Sequence, residues 1–319
     1  MNAPLWAITS YFNPLGSRRR LDNYRHFRRH LRAPLLAVEL SFGEGPHLAR
    51  GDADILVQCR DGDLLWQKER LLNRALQSLP ASCRFVAWVD CDVVFEDPHW
   101  PLQAGDLLER NTLVQLFRTV RHALPDADVD ALQADRRGWE QPSLASCMPV
   151  ASDAGAPLSA CMRRESGTPT PGMAWAARRA WLETHGLYDR CIVGGGDTAF
   201  AGAALGCPEV VMELHRMNTA QRTAYREWAR GVRAVSAGRL PHLEGRLHHL
   251  WHGNIADRHA SARHAGLAPH DYDPRRDLAP GRDGAWRWAG AGTGLRRYVQ
   301  GYFAARREDG GEERAPVRD

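Results

Sequence analysis

Lysine is almost missing from this sequence. Lys68 is the single lysine among 42 basic side chains, and all the others are arginine. A bias that strong reflects coding composition. A lysine that survives it marks either chance or a place where a compact ammonium fits and a planar guanidinium does not. Long apolar runs are missing too. No stretch reaches the roughly 18 apolar residues of a membrane-crossing helix, so no transmembrane segment is expected. The seven cysteines include no CxxC pair and are odd in number. That pattern argues against a disulfide framework and for a reducing cytoplasm. A leader is not expected, because MNAPLWAITSYFNPLGSRRR sets its basic residues after the apolar part, the reverse of a signal peptide. Charge of one sign is in short supply: the net charge is +4 over 319 residues, with arginines spread along the chain. No basic patch marks a nucleic acid as partner.

What is present is an alternation of apolar runs and amphipathic stretches. Segments 5–12 (LWAITSYF), 35–40 (LLAVEL) and 54–59 (DILVQC) read as strands, the first closed by Asn13-Pro14. DGDLLWQKERLLNRALQSLP reads as a helix, with Asp63 as N-cap and Pro80 as stop. Lys68 falls on the face of Leu65 and Leu72, so its ammonium must reach past the core edge to a partner or to solvent. FVAWV, 85–89, is apolar on both pleat faces, as in a sheet covered on both sides. The fold class expected is α/β, with a central mixed, mostly parallel sheet flanked by helices. Residues 102–140 read as helical and charged, and 143–171 as a long loop of the kind that shapes a site. GMAWAA reads as a strand, RRAWLETHG as a helix ended by Gly186, and 212–239 as helical. Near the end, Leu295, Tyr298, Val299, Tyr302 and Phe303 share one helix face, with arginines opposite. That face suits packing on the core; the alternative is a membrane surface, which would place the protein at the inner face of a membrane. The expected organisation is one domain over 1–260, an extension packing on it over 261–307, and a disordered tail over 308–319.

The chemistry starts at FVAWVDCDVVFED, 85–97. Asp90 and Asp92 are spaced i, i+2, so in extended chain they point to one side. They follow a buried strand, and α/β sheets bind ligands beyond the carboxyl ends of their strands. Two such acids can hold a divalent cation, with Asp92 on the metal and Asp90 on the metal or a ribose; the bland reading is a turn with solvated acids. In VGGGDTAF, Gly194, Gly195 and Gly196 let a ligand approach the main chain, and Asp197 can act as general base. Asp197 equally suits the N-cap of a helix starting at Thr198. HHLWHGN supplies His248, His249 and His252. Imidazole beside carboxylates favours manganese over magnesium; His252, followed by Gly253, is the preferred ligand and His249 the alternative. Arg258, six residues on, can face a diphosphate.

In chain order, WQKERLLN with Lys68 and Asn73, FVAWVDCDVVF, GMAWAA with Trp175, VGGGDTAF and HLWHG resemble the nucleotide-sugar-dependent glycosyltransferases of the GT-A fold, galactosyltransferase-like members above all. The resemblance spans residues 5 to about 260 and implies a Rossmann-like GT-A domain. It implies a UDP-sugar donor and manganese (or magnesium) held by Asp90, Asp92 and His252. It also implies nucleotide contacts at Thr9, Tyr11 and Asn13, donor contacts at Lys68 and Asn73, and a sugar site lined by the strand of Trp175. One acid, Asp197, follows the glycines where galactosyltransferases carry several. The function this implies is transfer of a hexose from a nucleotide sugar to an acceptor hydroxyl, with inversion because a base sits near the acceptor loop. The acceptor is left open among a glycan, a protein and a small molecule, and so is the oligomeric state. The alternatives are a sugar-phosphate nucleotidyltransferase and a non-catalytic sugar-binding module on the same fold.

Overall fold

The computed structural model describes residues 5–43, 45–148, 169–233, 240–259, 262–290 and 292–310. Strands β1 (Leu5–Phe12), β2 (Leu35–Leu40), β3 (Ile55–Cys59) and β4 (Phe85–Val89) run parallel in the order β3-β2-β1-β4. Between β4 and the later strands lies β5 (Val93–Phe95), followed by β6 (Leu113–Gln115), β7 (Thr119–His122), β8 (Trp139–Pro142) and β9 (Ala174–Arg178). β9 extends the main sheet antiparallel to β4, and β6 closes its edge antiparallel to β9. The expected mixed, mostly parallel sheet is thus observed. A second sheet has the order β5-β10-β7-β8, where β10 is Arg246–His249; β11 (Leu278–Pro280) and β12 (Trp286–Trp288) form a small hairpin.

The apolar character of both pleat faces has a direct consequence. Ala7 and Tyr11 of β1 point into one core with Tyr24, Phe27, Trp100 and Leu108. Ile8 and Phe12 point into the other, with Leu72, Phe200 and Phe303. Helices α1 (Arg18–His30) and α3 (Trp100–Leu108) cover the first face. The second is covered by α2 (Lys68–Leu76) and by later helices. These include α4 (Arg179–His185), α5 (Gly196–Ala204), α6 (Pro208–Leu214), α7 (Thr219–Ala229), α8 (Ala262–Leu267) and α9 (Thr293–Ala305). The apolar stripe of α9 is buried through Leu295, Val299, Tyr302 and Phe303, so it packs on the core and not on a membrane. No helix among the described residues is long and apolar enough to cross a membrane.

Some local expectations are corrected. The stretch 102–140 is not helical throughout: after α3 it forms β6, β7 and β8, whose three or four residues carry too little periodicity to read. Asp63 does not cap α2, which begins at Lys68 after Gln67. Its carboxylate instead accepts the backbone N–H of Trp288 at 2.8 Å, tying this segment to the β12 strand. The stretch 212–239 breaks between α6 and α7, where Asn218 caps α7 by accepting the N–H of Gln221. Most of the expected long loop lies outside the described residues. Glu308 and Asp309, assigned by sequence to the tail, make specific contacts described below; 311–319 lie outside the described residues.

Candidate active site

β4 leaves the main sheet at Val89 and β5 enters the second sheet at Val93, so Asp90 and Asp92 lie in the joint between them. The joint is pinned on both sides. The N–H of Asp90 donates to Met173 O at 2.8 Å, and the N–H of Leu250 donates to Asp92 O at 2.8 Å. This second bond brings the end of β10 against Asp92. His252 Nε2 lies 3.0 Å from Asp92 Oδ2, and His249 Nε2 lies 3.9 Å from Asp92 Oδ1. One ligand atom from each of Asp92, His249 and His252 falls within 4.8 Å of the others, and both rings are buried. Asp92 Oδ1 is buried with no hydrogen-bond partner. An orphaned carboxylate oxygen facing two imidazoles fits a divalent cation, and the nitrogen ligands suit manganese better than magnesium.

Protonation supports this fit. Burial holds both His249 and His252 below the ordinary imidazole range, so they are neutral, the form that ligates a metal. Burial opposes the charge of Asp92, yet the facing His252 as a hydrogen-bond partner and the fixed charge of Arg258 hold its carboxyl low, so it stays ionised. His122 Nδ1 sits 3.2 Å from His249 Nδ1, and its ring stacks on Trp139 at 3.8 Å between centroids. His122 is pushed down to about 4 by burial, so it too is neutral and can fix the ring of His249.

Asp90 turns the other way. Lys68 Nζ is 2.6 Å from Asp90 Oδ1 and donates to both oxygens of Asp197, at 2.8 and 2.9 Å. The lysine is 8% exposed, which makes it a buried ammonium clamped between two carboxylates. Asp197 does not cap its helix: α5 starts at Gly196, with Gly195 in the left-handed region at φ 96°. Behind the pair lies Glu69, also buried, with Oε1 unpartnered. One ammonium cannot offset three acids in a buried site. Accordingly, burial pushes Glu69 up to about 8 and Asp90 up to about 7, each against the pull of Lys68 and with Asp197 adding to the rise.

Other residues singled out by sequence fall elsewhere. Thr9 is fully buried and its hydroxyl donates to Val89 O at 2.7 Å. Tyr11 is fully buried, edge-on to Tyr24 with centroids 5.3 Å apart. Asn13 closes the turn after β1, donating to Ser17 O and accepting the N–H of Ser17. Each thus has a partner within the protein, and Asn13 Nδ2 also reaches Tyr11 Oη at 3.3 Å. Trp175 is 1% exposed and stacked on Trp88, so its ring is core and not an open sugar platform. Asn73 exchanges hydrogen bonds with Leu187 at 2.8 Å each and tethers that loop rather than reaching a donor. Gly195 and Gly196 do permit close approach, but to protein: a Cβ on Gly196 would lie 2.1 Å from Glu69 Oε1, and one on Gly195 would lie 2.8 Å from the His215 ring. Arg258 lies beside the Asp92–His249–His252 cluster, with Nη2 3.0 Å from His252 Nε2.

Sequence reasoning missed Glu69, His122, Arg20, Arg306 and Glu308. Glu69 was detectable: it stands three before Leu72 and seven before Leu76, an acid on an apolar helix face. A second histidine and acid cluster, His26, His30 and Asp130, has ligand spacing. There Asp130 is exposed and only His26 is buried, whereas both imidazoles beside Asp92 are buried.

No family model matches the sequence, and no curated protein matches it. Solved structures show distant likenesses. S. aureus TarS 1-349 in complex with UDP-GlcNAc superposes with a TM-score of 0.42 at 12% identity, over 79% of this chain and 59% of that one. Glucosyl-3-phosphoglycerate synthase from Mycobacterium tuberculosis, in complex with Mn2+, UDP and phosphoglyceric acid, gives 0.32 at 16% identity, over 56% and 57%. The catalytic domain of Drosophila β1,4-galactosyltransferase 7 with xylobiose gives 0.31 at 10% identity, over 62% and 59%. The chain spans less than two thirds of the length of each of these three.

Proposed function

We propose that the protein is a metal-dependent glycosyltransferase that moves a sugar from a nucleotide sugar, a UDP-sugar, to an acceptor hydroxyl. The observation that carries this reading is the meeting of Asp92, His249 and His252 in the joint between the two sheets, beside a second pair of acids bridged by Lys68. A divalent cation held by Asp92, His249 and His252 would supply positive charge for the departing diphosphate. Arg258, beside His252, adds a fixed cation on the same side. Lys68 holds Asp90 and Asp197 apart from that charge and fixes their orientation. Asp197, whose side chain is 28% exposed, is the group within reach of an incoming hydroxyl and would take its proton in an inverting displacement.

The test is incubation of the protein with UDP-sugars and Mn2+ while UDP release is measured. Asp92→Asn is expected to lose at least a hundred-fold in rate, as expected of a change at the charge-stabilising ion. Asp197→Asn is expected to lose about a hundred-fold in transfer, the scale of a general base. Pyrophosphate released from a nucleoside triphosphate and a sugar phosphate, in place of UDP, would make the protein a nucleotidyltransferase. Binding without turnover would make it a sugar-binding module. Product with the donor's anomeric configuration retained would remove the base role of Asp197.

A further inference from the structure

His252 has two ring nitrogens and shows a carboxylate to each. Nε2 faces Asp92 Oδ2 at 3.0 Å, while Nδ1 faces Glu308 Oε1 at 3.8 Å. Nδ1 is buried and has no hydrogen-bond partner. Glu308 is not a stray tail residue. Arg20 donates to both its oxygens, at 2.9 and 3.0 Å, and Arg306 Nε donates to Oε1 at 2.8 Å. The next residue anchors it: Asp309 accepts the hydroxyl of Ser17 at 2.7 Å and the N–H of Arg19 at 2.8 Å, at the start of α1. The tail also lies against the loop that carries His252. A Cβ on Gly253 would come 2.8 Å from Arg306 O and 3.0 Å from Arg307 O, at a φ of +89° that itself favours glycine. The segment 306–310 is therefore a clasp, fixed at α1, that presses one carboxylate against the far side of His252.

We propose that Glu308 is a positioning residue for the cation. With the ion bound, its carboxylate accepts the hydrogen bond of the His252 Nδ1–H and so leaves a bare Nε2 for the cation beside Asp92. The inference rests on the reading of Asp92, His249 and His252 as a cation site. A histidine that binds a metal through one nitrogen characteristically gives the proton on the other to a carboxylate, which fixes its tautomer and ring angle. The remaining gap closes to hydrogen-bond range with a shift of about 1 Å, a small ring movement. Glu308 acts through His252, the group its carboxylate faces.

The experiment measures Mn2+ binding to the full chain by electron paramagnetic resonance, with no sugar nucleotide present, and the His252 Nδ1–H signal by 15N-edited NMR in protein loaded with diamagnetic Zn2+. Glu308→Ala is expected to weaken Mn2+ about ten-fold and to remove the carboxylate-bonded shift of the Nδ1–H signal. Should that variant fail to fold because Arg20 and Arg306 lose their counter-ion, two others carry the test. Asp309→Ala, which loosens the clasp but keeps the carboxylate, and Glu308→Gln, a weaker acceptor of the same shape, are each expected to weaken Mn2+ several-fold relative to the wild type. Wild-type affinity with an unchanged Nδ1–H signal in the folded variants overturns the proposal. The two readings separate cleanly: no Mn2+ binding by the wild type removes the cation site itself. Binding that Asp92→Asn abolishes but Glu308 variants leave intact removes only the role of Glu308.

Discussion

At the scale of the residue, the site is a problem of unequal charge. Lys68 contacts Asp90 and Asp197, and Glu69 lies behind them in the same buried space. A guanidinium could not take the lysine's place without displacing one of the acids, because its planar fork is wider than an ammonium. That is a physical reason for lysine at this one position, alongside coding bias. The surplus negative charge is relieved by protonation, and burial places Glu69 at about 8. The sign of the pH effect follows. A carboxyl whose folded pKa exceeds its unfolded one binds an extra proton in the native state, so stability falls as pH rises between the two values. For Glu69 that window runs from its ordinary 4.5 up to about 8. Glu69→Gln removes this contribution. Relative to the wild type it should gain stability steadily from about pH 5 to about pH 8, read as urea midpoints. Asp90, at about 7, keeps a slope of the same sign in both proteins, so the profile should flatten and not vanish. Parallel profiles for the two proteins would refute a buried, proton-holding Glu69.

At the scale of the element, α2 and α5 meet through one acid and one glycine. Gly196 opens α5 against Glu69, and a methyl there would overlap the carboxyl carbon at 2.1 Å. Glu69 is held on α2 and buried, so it has little room to yield. Gly196→Ala is expected to cost about 2 kcal/mol, the usual scale of overpacking. Combining it with Glu69→Ala should recover a good part of that loss, because contacting sites couple; additive losses in a double-mutant cycle would show that the two do not touch. Elements were legible where the sequence carried long patterns. β1, β2 and β4 announced themselves as apolar runs, and α9 by its stripe. Lys68 was legible as a charge on an apolar face. The acids of the joint were legible because they end a strand that is buried on both sides. Thr9, Tyr11 and Trp175 share one ambiguity. A polar or aromatic group at a strand end looks the same in sequence whether its partner is a ligand or, as here, Val89, Tyr24 and Trp88. Glu308 left no signal at all, since its partner Arg20 lies 288 positions away and the surrounding tail has the composition of a disordered segment.

At the scale of the whole molecule, the two sheets are joined by short crossings, 90–92 between β4 and β5 and 116–118 between β6 and β7, and β10 returns from far along the chain to pair with β5 and β7. The proposed cation lies beside the first of these crossings, with Asp92 on it, His249 ending β10 and His252 just after. An ion there would act as a cross-link between distant parts of the chain, present only in the folded state. Stabilisation by such a ligand grows with its concentration over its Kd, reaching about 2.7 kcal/mol at a hundred-fold excess. For a chain of this size that corresponds to a rise in Tm of roughly 5 °C. Mn2+ is therefore expected to raise the unfolding temperature, and UDP added with it to raise it further, since a diphosphate would meet both the ion and Arg258. UDP without the metal should do little, because Asp92 would then face the phosphates unshielded. The decisive comparison is with Asp92→Asn, which keeps the shape of the turn and removes the charge that holds the ion. An equal shift in that variant would place the binding elsewhere on the protein, and no shift in either would leave the joint between the sheets as a purely structural contact of Asp92 with His252.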